Sequence, residues 1–420
     1  MVAFFKVRSV TLLRSLERYT KTDMVYLAKG GSWMIAGQIV TGMVAFGLAV
    51  AFANLIPRET FGNYKYVLSL GGVLGALTLS GLGTYVTQSV GRGFEGSLRY
   101  SFKLSLMWCA PLVLVALAGA TYYGLNNNAF LALSLVIIAL AAPFMNSAQL
   151  YSSYLAGKKD FRLASACNAG ISLLQAGALL TGLLFQISVL WLVVIYFAAN
   201  TLATLICYVL TLHLYSPNGL YNKAMAEFST RLSFAGVVAA FVGQLDKILI
   251  FHFLGAAPVA VYALAQAPVV QMRAALKLAT PLSLPKLAAL DSRTVAKTLE
   301  DKLNRFTLVI FAMIVLYIAI APTLFHLFFP AYLDAIPYSQ GYALLLLLFP
   351  KKLVSLALYA QEHMRGQYLL ALSTPTAHVI LLLALVPSFG LWGVVVAEIG
   401  ANLAANTLAN YYFNQFKKSV

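Results

Sequence analysis

The sequence predicts an all-α integral membrane protein with twelve transmembrane helices in two six-helix bundles. Three observations predict it. Of 420 residues, 61% are hydrophobic and only 10% charged, where a soluble chain carries about 25% charge. The apolar residues fall in runs long enough to span a bilayer, which takes about 20 residues. The basic residues concentrate in alternate connections, as the positive-inside rule requires.

The first six spans are expected at 31–55, 63–90, 100–123, 129–155, 162–186 and 188–212. The second six are expected at 232–254, 259–282, 304–329, 338–363, 367–387 and 390–413. Ahead of them, "FFKVRSVTLLRSLERYT" alternates apolar and basic residues at helical spacing, so residues 1–30 read as a cytoplasmic interfacial helix. No A-x-A cleavage site follows, so no cleaved signal peptide is expected. Residues 213–231 read as a cytoplasmic linker and 414–420 as a cytoplasmic tail. The bundles are then 31–212 and 232–413. Short loops leave no room for an extramembrane catalytic domain. Cys109, Cys167 and Cys207 sit in apolar runs without a CxxC or histidine partner and read as small buried hydrophobes.

Lys and Arg orient the chain. Of 29, only Arg58 and Lys65 fall on one set of connections, while Lys247, Lys351 and Lys352 lie within spans. The remainder collect on the other set, in groups such as Arg92, Arg99 and Lys103, and Lys158, Lys159 and Arg162. Both termini are therefore expected in the cytoplasm. The net charge of +16 is a topology signal, and no nucleic-acid partner is expected.

The halves show a repeat. "PFMNSAQLYSSYLAGKKDF" (143–161) and "PKKLVSLALYAQEHMRGQY" (350–368) both open on proline and close on an aromatic after a basic, glycine-containing turn. "LIPRETFGNY" (55–64) and "LGAAPVAVY" (254–262) follow the first span of each half. Six spans per half keep one orientation, so the repeat is parallel, with a central cavity expected between the lobes. Pro143 and Pro350 are expected to kink their helices.

Intramembrane polar groups give the candidate site, because such groups usually face a bundle interior or a watery cavity. Lys351 and Lys352 stand in the middle of "LLLLLFPKKLVSLALYA", where each costs about 2.5–3.5 kcal/mol on insertion scales. They read as a cationic cavity wall or as partners in a salt bridge with Asp246 or Glu398. Asp246 and Lys247 lie deep in "FVGQLDKILIFHF". Arg273 and Lys277 either face the cavity or snorkel to the headgroups. Glu398, Asn402 and Asn406 recur every four residues and form one stripe, read as a cavity wall or as helix–helix hydrogen bonding. His378 reads as a satisfied core group or a proton relay. No nucleotide-binding loop or hydrolase motif is present, and no cofactor or metal is expected.

The chain resembles Wzx-type O-antigen flippases of the multidrug/oligosaccharidyl-lipid/polysaccharide (MOP) exporter superfamily. The resemblance rests on "FANLIPRETFGNYKYVLSLGGVLGALTLSGL", "YLAGKKDFRLAS" and "GQLDKILIFHFLGAAPVAVYALAQAP". It implies that the chain moves an undecaprenyl-diphosphate-linked oligosaccharide across the inner membrane, alongside polysaccharide-assembly proteins. It implies Lys351 and Lys352 as partners of the diphosphate, and Gln38, Asn146, Gln149, Asn402 and Asn406 as polar lining for the sugars. "LGAAPVAVY" departs from the commoner glycine–tyrosine pair and leaves the substrate branch open. Two alternatives remain. A cation-coupled multidrug antiporter would use Asp246 and Glu398. An integral-membrane glycosyltransferase or polymerase would need a large periplasmic loop.

Overall fold

The structure, a computed structural model, describes residues 24–79, 81–277, 292–350 and 364–419. Among them the chain is helical throughout. The first half comprises α1 (Met24–Leu55), α2 (Arg58–Ala76), α3 (Leu82–Gly91), α4 (Ser97–Trp108), α5 (Ala110–Leu125), α6 (Ala129–Ala148), α7 (Leu150–Gly157), α8 (Phe161–Leu184) and α9 (Val189–Tyr215). The second comprises α10 (Lys223–Leu254), α11 (Ala256–Lys277), α12 (Ser292–Phe328), a 3-10 turn (Pro330–Ala335), α13 (Ile336–Ala343), a second 3-10 turn (Leu344–Leu348) and α14 (Met364–Ser419). Eight helical stretches among the described residues are long and apolar enough to cross a membrane.

Several expected spans are broken. The span expected at 63–90 is two helices, α2 and α3. Near the break Gly81 donates its N–H to Ser233 Oγ at 2.8 Å. A Cβ there would meet Ser229 O at 2.5 Å, so only glycine lets the chain come this close to α10. The span expected at 100–123 breaks at Cys109, where Pro111 occupies the first turn of α5. Pro143 stays inside α6, and the break comes later, at Gln149. Pro350 acts on the turn before it. It has no N–H for Leu346 O, and the N–H of Phe349 takes that carbonyl in 3-10 geometry. The spans expected at 367–387 and 390–413 are two helices, labelled together as α14, between which the chain reverses at Gly390 (φ +57°, ψ −134°). The return is tight. A Cβ on Gly393 would meet Leu385 O at 2.2 Å, and Gly400 faces Leu381. At the amino end α1 begins at Met24, within the stretch expected to be interfacial.

The loops fall at two ends. At the basic end, Asn218 accepts from the N–H groups of Glu95 and Gly96 and donates to Gly93 O. There Glu95 also pairs with Lys158 and accepts from Tyr154 at 3.2 Å. Residues 54–62, 254–256 and 328–334 meet at the opposite end.

In lipid, apolar side chains gain little by leaving acyl chains for protein. Helix association therefore depends on close packing and small residues. Within the first half, α1 packs on α8, α6 on α5 and α9, and α9 on α8. The second half is joined through α2, which packs on α10 and α11. A Cβ on Gly62 would lie 1.8 Å from Ala256 O. Four residues on, Tyr66 stacks on Phe251 with centroids 3.7 Å apart.

Two outcomes follow from this packing. Gly62→Ala is expected to destabilise the detergent-solubilised protein by about 1–3 kcal/mol through overpacking against backbone; an unchanged melting temperature would contradict the contact. Lys158 beside Glu95 holds that carboxyl below its usual range. A depressed native value contributes stability that is fully present above the ordinary glutamate range and lost as pH falls through the lowered value. Acidification is therefore expected to lower the melting temperature of wild type more than that of Glu95→Gln.

Candidate functional site

Two cavities carry the candidate residues, one within the second half and one at the junction of the halves. The first, about 340 Å³, sits within the second half and is lined by residues of α10, α11, α13 and α14. Asp246, only 7% exposed, is its anchor. Its carboxylate accepts from Tyr262 Oη at 2.6 Å and from the backbone N–H of Lys247 at 2.8 Å. Tyr262 Oη lies 2.9 Å from Tyr342 Oη, which accepts from Gln266 at 2.6 Å. Burying an ionised carboxylate requires such partners, since an unpaired one carries a large desolvation penalty. Lys247 Nζ is 3.9 Å from Asp246 Oδ1. Across the cavity both Arg273 terminal nitrogens reach a single oxygen of Glu398, at 3.4 and 3.5 Å. This is a loose pair, without the parallel fork of a bidentate contact. His378 lines the same cavity, and its buried Nε2 has no hydrogen-bond partner among the described residues.

The second cavity, about 510 Å³, is walled by both halves. Lys65, Ser69 and three glycines of α2, Asn146 of α6, Tyr196 of α9 and Gln244 and Lys247 of α10 line it. Gly71, Gly72 and Gly75 leave the α2 wall without side chains, and a Cβ on Gly72 would press on Gln244 at 2.9 Å. Lys247 lines both cavities. Lys65 lies 5.3 Å from the Phe61 ring centroid and has no carboxylate within ion-pair distance among the described residues. Two ammonium groups thus face one cavity, and the single carboxylate near either is already held by Tyr262.

The residues expected from sequence separate into groups. Asp246, Lys247, Arg273, Glu398 and Asn402 line the first cavity, and Asn146 and Lys247 the second. The stripe on α14 divides. Asn402 donates to Glu398 O at 2.8 Å, whereas buried Asn406 donates to Leu348 O at 3.3 Å and ties two elements together. Gln38 is half-buried on α1, one turn before Gly42, which faces Gln271. Gln149 is exposed at the α6–α7 break and lines neither cavity. Lys277 ends α11. Lys351 and Lys352 lie outside the described residues. Lys65 was assigned by charge counting to a connection, yet it stands two turns inside α2. It also falls just inside the apolar run expected at 63–90.

A polar, charge-bearing crevice thus lies between helical halves, in a chain with eight described helical stretches long and apolar enough to cross a membrane. The family model for polysaccharide biosynthesis proteins matches residues 27–284, and the chain belongs to that family. The fold is that of MOP superfamily transporters. An outward-facing multidrug resistance MATE family transporter aligns at TM-score 0.60 and 14% identity, over 94% of this chain and 96% of its own. An inward-facing one aligns at 0.61 and 15%, over 91% and 96%. A MOP superfamily transporter from Pyrococcus furiosus, described as having a binding pocket of reverse polarity, aligns at 0.58 and 15%, over 92% and 97%. No match was found among curated proteins.

The Arg273–Glu398 pair has a measurable consequence. Arg273→Met alone strands a buried carboxylate, and adding Glu398→Gln is expected to recover most of the lost stability, with a coupling of about 1 kcal/mol. Additive losses in thermal unfolding would show that the two groups do not interact.

Proposed function

We propose that the protein is a lipid-linked oligosaccharide flippase. It moves an undecaprenyl-diphosphate-linked O-antigen unit or other polysaccharide repeat unit from the cytoplasmic to the periplasmic leaflet of the inner membrane. In this reading twelve spans form two six-helix bundles, residues 31–212 and 232–413, related by the parallel repeat, with both termini cytoplasmic. The bundles rock about their junction to expose the cavity to each side in turn.

The observation that carries the proposal is the placement of Lys65 and Lys247, one from each half, on the same cavity. A diphosphate cannot enter a low-dielectric crevice without compensating cations. Two lysines supply them as mobile point charges, which suit a phosphate group that must be released as well as bound. Ser69, Asn146 and Gln244 offer hydrogen bonds to sugar hydroxyls, and the polyprenyl tail remains in the bilayer beside the junction. Lys351 and Lys352 are assigned to the same anion. The chain acts as a carrier, alongside polysaccharide-assembly proteins that make and use the repeat unit.

The multidrug antiporter reading needs a carboxylate free to meet a cationic substrate. Asp246 and Glu398 are the carboxylates that line the first cavity, and each already faces a cation of the protein, Lys247 or Arg273. That arrangement leaves neither carboxylate of the first cavity without a cation partner.

In proteoliposomes carrying undecaprenyl-diphosphate oligosaccharide, Lys65→Gln combined with Lys247→Gln is expected to cut flipping at least about 10-fold, equivalent to losing about 1.4 kcal/mol of binding. Flipping at the wild-type rate, or uptake of a cationic dye in its place, would overturn the assignment.

A further inference from the structure

At the end opposite the basic loops, one side chain of the first half is held by several groups of the second. Arg58, the first residue of α2, donates from Nη1 to Asp334 Oδ2 at 2.8 Å and from Nη2 to Asp334 Oδ1 at 2.9 Å. Its Nε donates to Ala331 O at 2.9 Å, a carbonyl that Nη2 also reaches. The guanidinium lies 4.7 Å from the centroid of the fully buried Tyr332 ring. Beside it Asn54 donates to Phe328 O at 2.9 Å, and Phe46 meets Phe328 and Phe329 edge-on at 5.2 and 5.7 Å. All these acceptors and rings lie on the segment that ends α12 and forms the following 3-10 turn.

A lone exposed ion pair contributes little. This pair differs in geometry: a parallel fork on the carboxylate, a backbone carbonyl at the third nitrogen and an aromatic face below. Arg58 and Asp334 are nonetheless 40% and 50% exposed, so the contact faces water and is free to break.

Its position matters as much as its chemistry. The long contact between the halves runs along α2, α3 and α10. It extends from Tyr66 on Phe251, through Gly81 on Ser233, to Tyr85 Oη on Asn222 O at 3.1 Å. The Arg58 cluster engages different elements of the second half, the end of α12 and the 3-10 turn after it. A rotation of the halves about α2–α10 would separate Arg58 from Asp334 while leaving the line intact.

We infer that Arg58 and Asp334 form a latch that clamps the two halves together at this end in the resting state. The inference rests on the alternating-access reading. It adds a specific lock, whose release, separate from substrate binding, controls how often the outer mouth opens. Arg58 was read from sequence only as a loop charge, and nothing in local sequence pairs it with Asp334, 276 residues away.

The test uses the full-length protein in right-side-out membrane vesicles without saccharide lipid. Ala240→Cys places a thiol on the wall of the second cavity, and the native Cys109, Cys167 and Cys207 are buried. Labelling by an externally added, membrane-impermeant maleimide then reports opening of the outer mouth. Arg58→Ala, and separately Asp334→Asn, are expected to raise the labelling rate about five-fold or more, the change that follows from losing about 1 kcal/mol of closure. The charge swap Arg58→Asp with Asp334→Arg is expected to restore most of the protection, which a merely misfolded variant would not do. Unchanged labelling in both single variants, or a swap that labels as fast as they do, would overturn the latch. Because no substrate is present, that result would leave the flippase proposal standing, whereas wild-type flipping in the lysine variants would remove the proposal and leave the latch.

Discussion

A charge inside a membrane must be met by an opposite charge, a hydrogen-bond shell or water, and the organisation of this protein follows from how it meets that requirement. In the second half, carboxylates and cations face one another across a small cavity: Asp246 with Lys247, Glu398 with Arg273. Lys65, on the first half, faces the junction without a carboxylate among the described residues. Among the described residues, the crevice between the halves therefore carries one lysine, Lys65, that no carboxylate meets. An anionic ligand is the natural complement of that charge.

The helix α2 makes this arrangement possible. At one end Gly62 lets it approach the backbone of α11, and Tyr66 stacks on α10. Farther along, Gly71, Gly72 and Gly75 withdraw side-chain bulk and open the cavity that Lys65 and Lys247 line. Close packing and a polar void are thus produced by one helix, through a glycine that serves contact near its start and three that bare the cavity wall farther along. The same helix begins with Arg58, so the outer contact, the line between the halves and the cationic wall share one element.

Much of the fold follows from apolar run length and turn chemistry visible along the chain. The helical class, the pairing of Asp246 with Lys247 in one helix and the placement of Glu398 on a polar face all follow from spacing. So does the reversal near Gly390, where Pro387 and Gly390 interrupt two apolar runs. The breaks were harder to see. Gly81, just before α3, is a glycine because Ser229 and Ser233, about 150 residues away, need the space. The effect of Pro350 falls on the turn before it, because the carbonyl it cannot serve is four residues back. Asn406 and Asn402 share a stripe, yet one bonds to Leu348 and the other lines a cavity, a division set by a neighbouring element. Lys65 was hidden by its nearness to a turn. Counting charges by connection places it beside a turn, and the start of α2 at Arg58 puts it two turns into a helix.

The central claim is that the crevice selects for the charge of the ligand. Native mass spectrometry of the purified protein, offered undecaprenyl diphosphate and undecaprenol in equal amounts, measures that selection directly. The account predicts that the diphosphate lipid stays bound as the detergent is stripped while the alcohol is lost. Equal retention of the two would show that the protein holds the lipid by its tail alone and would contradict it.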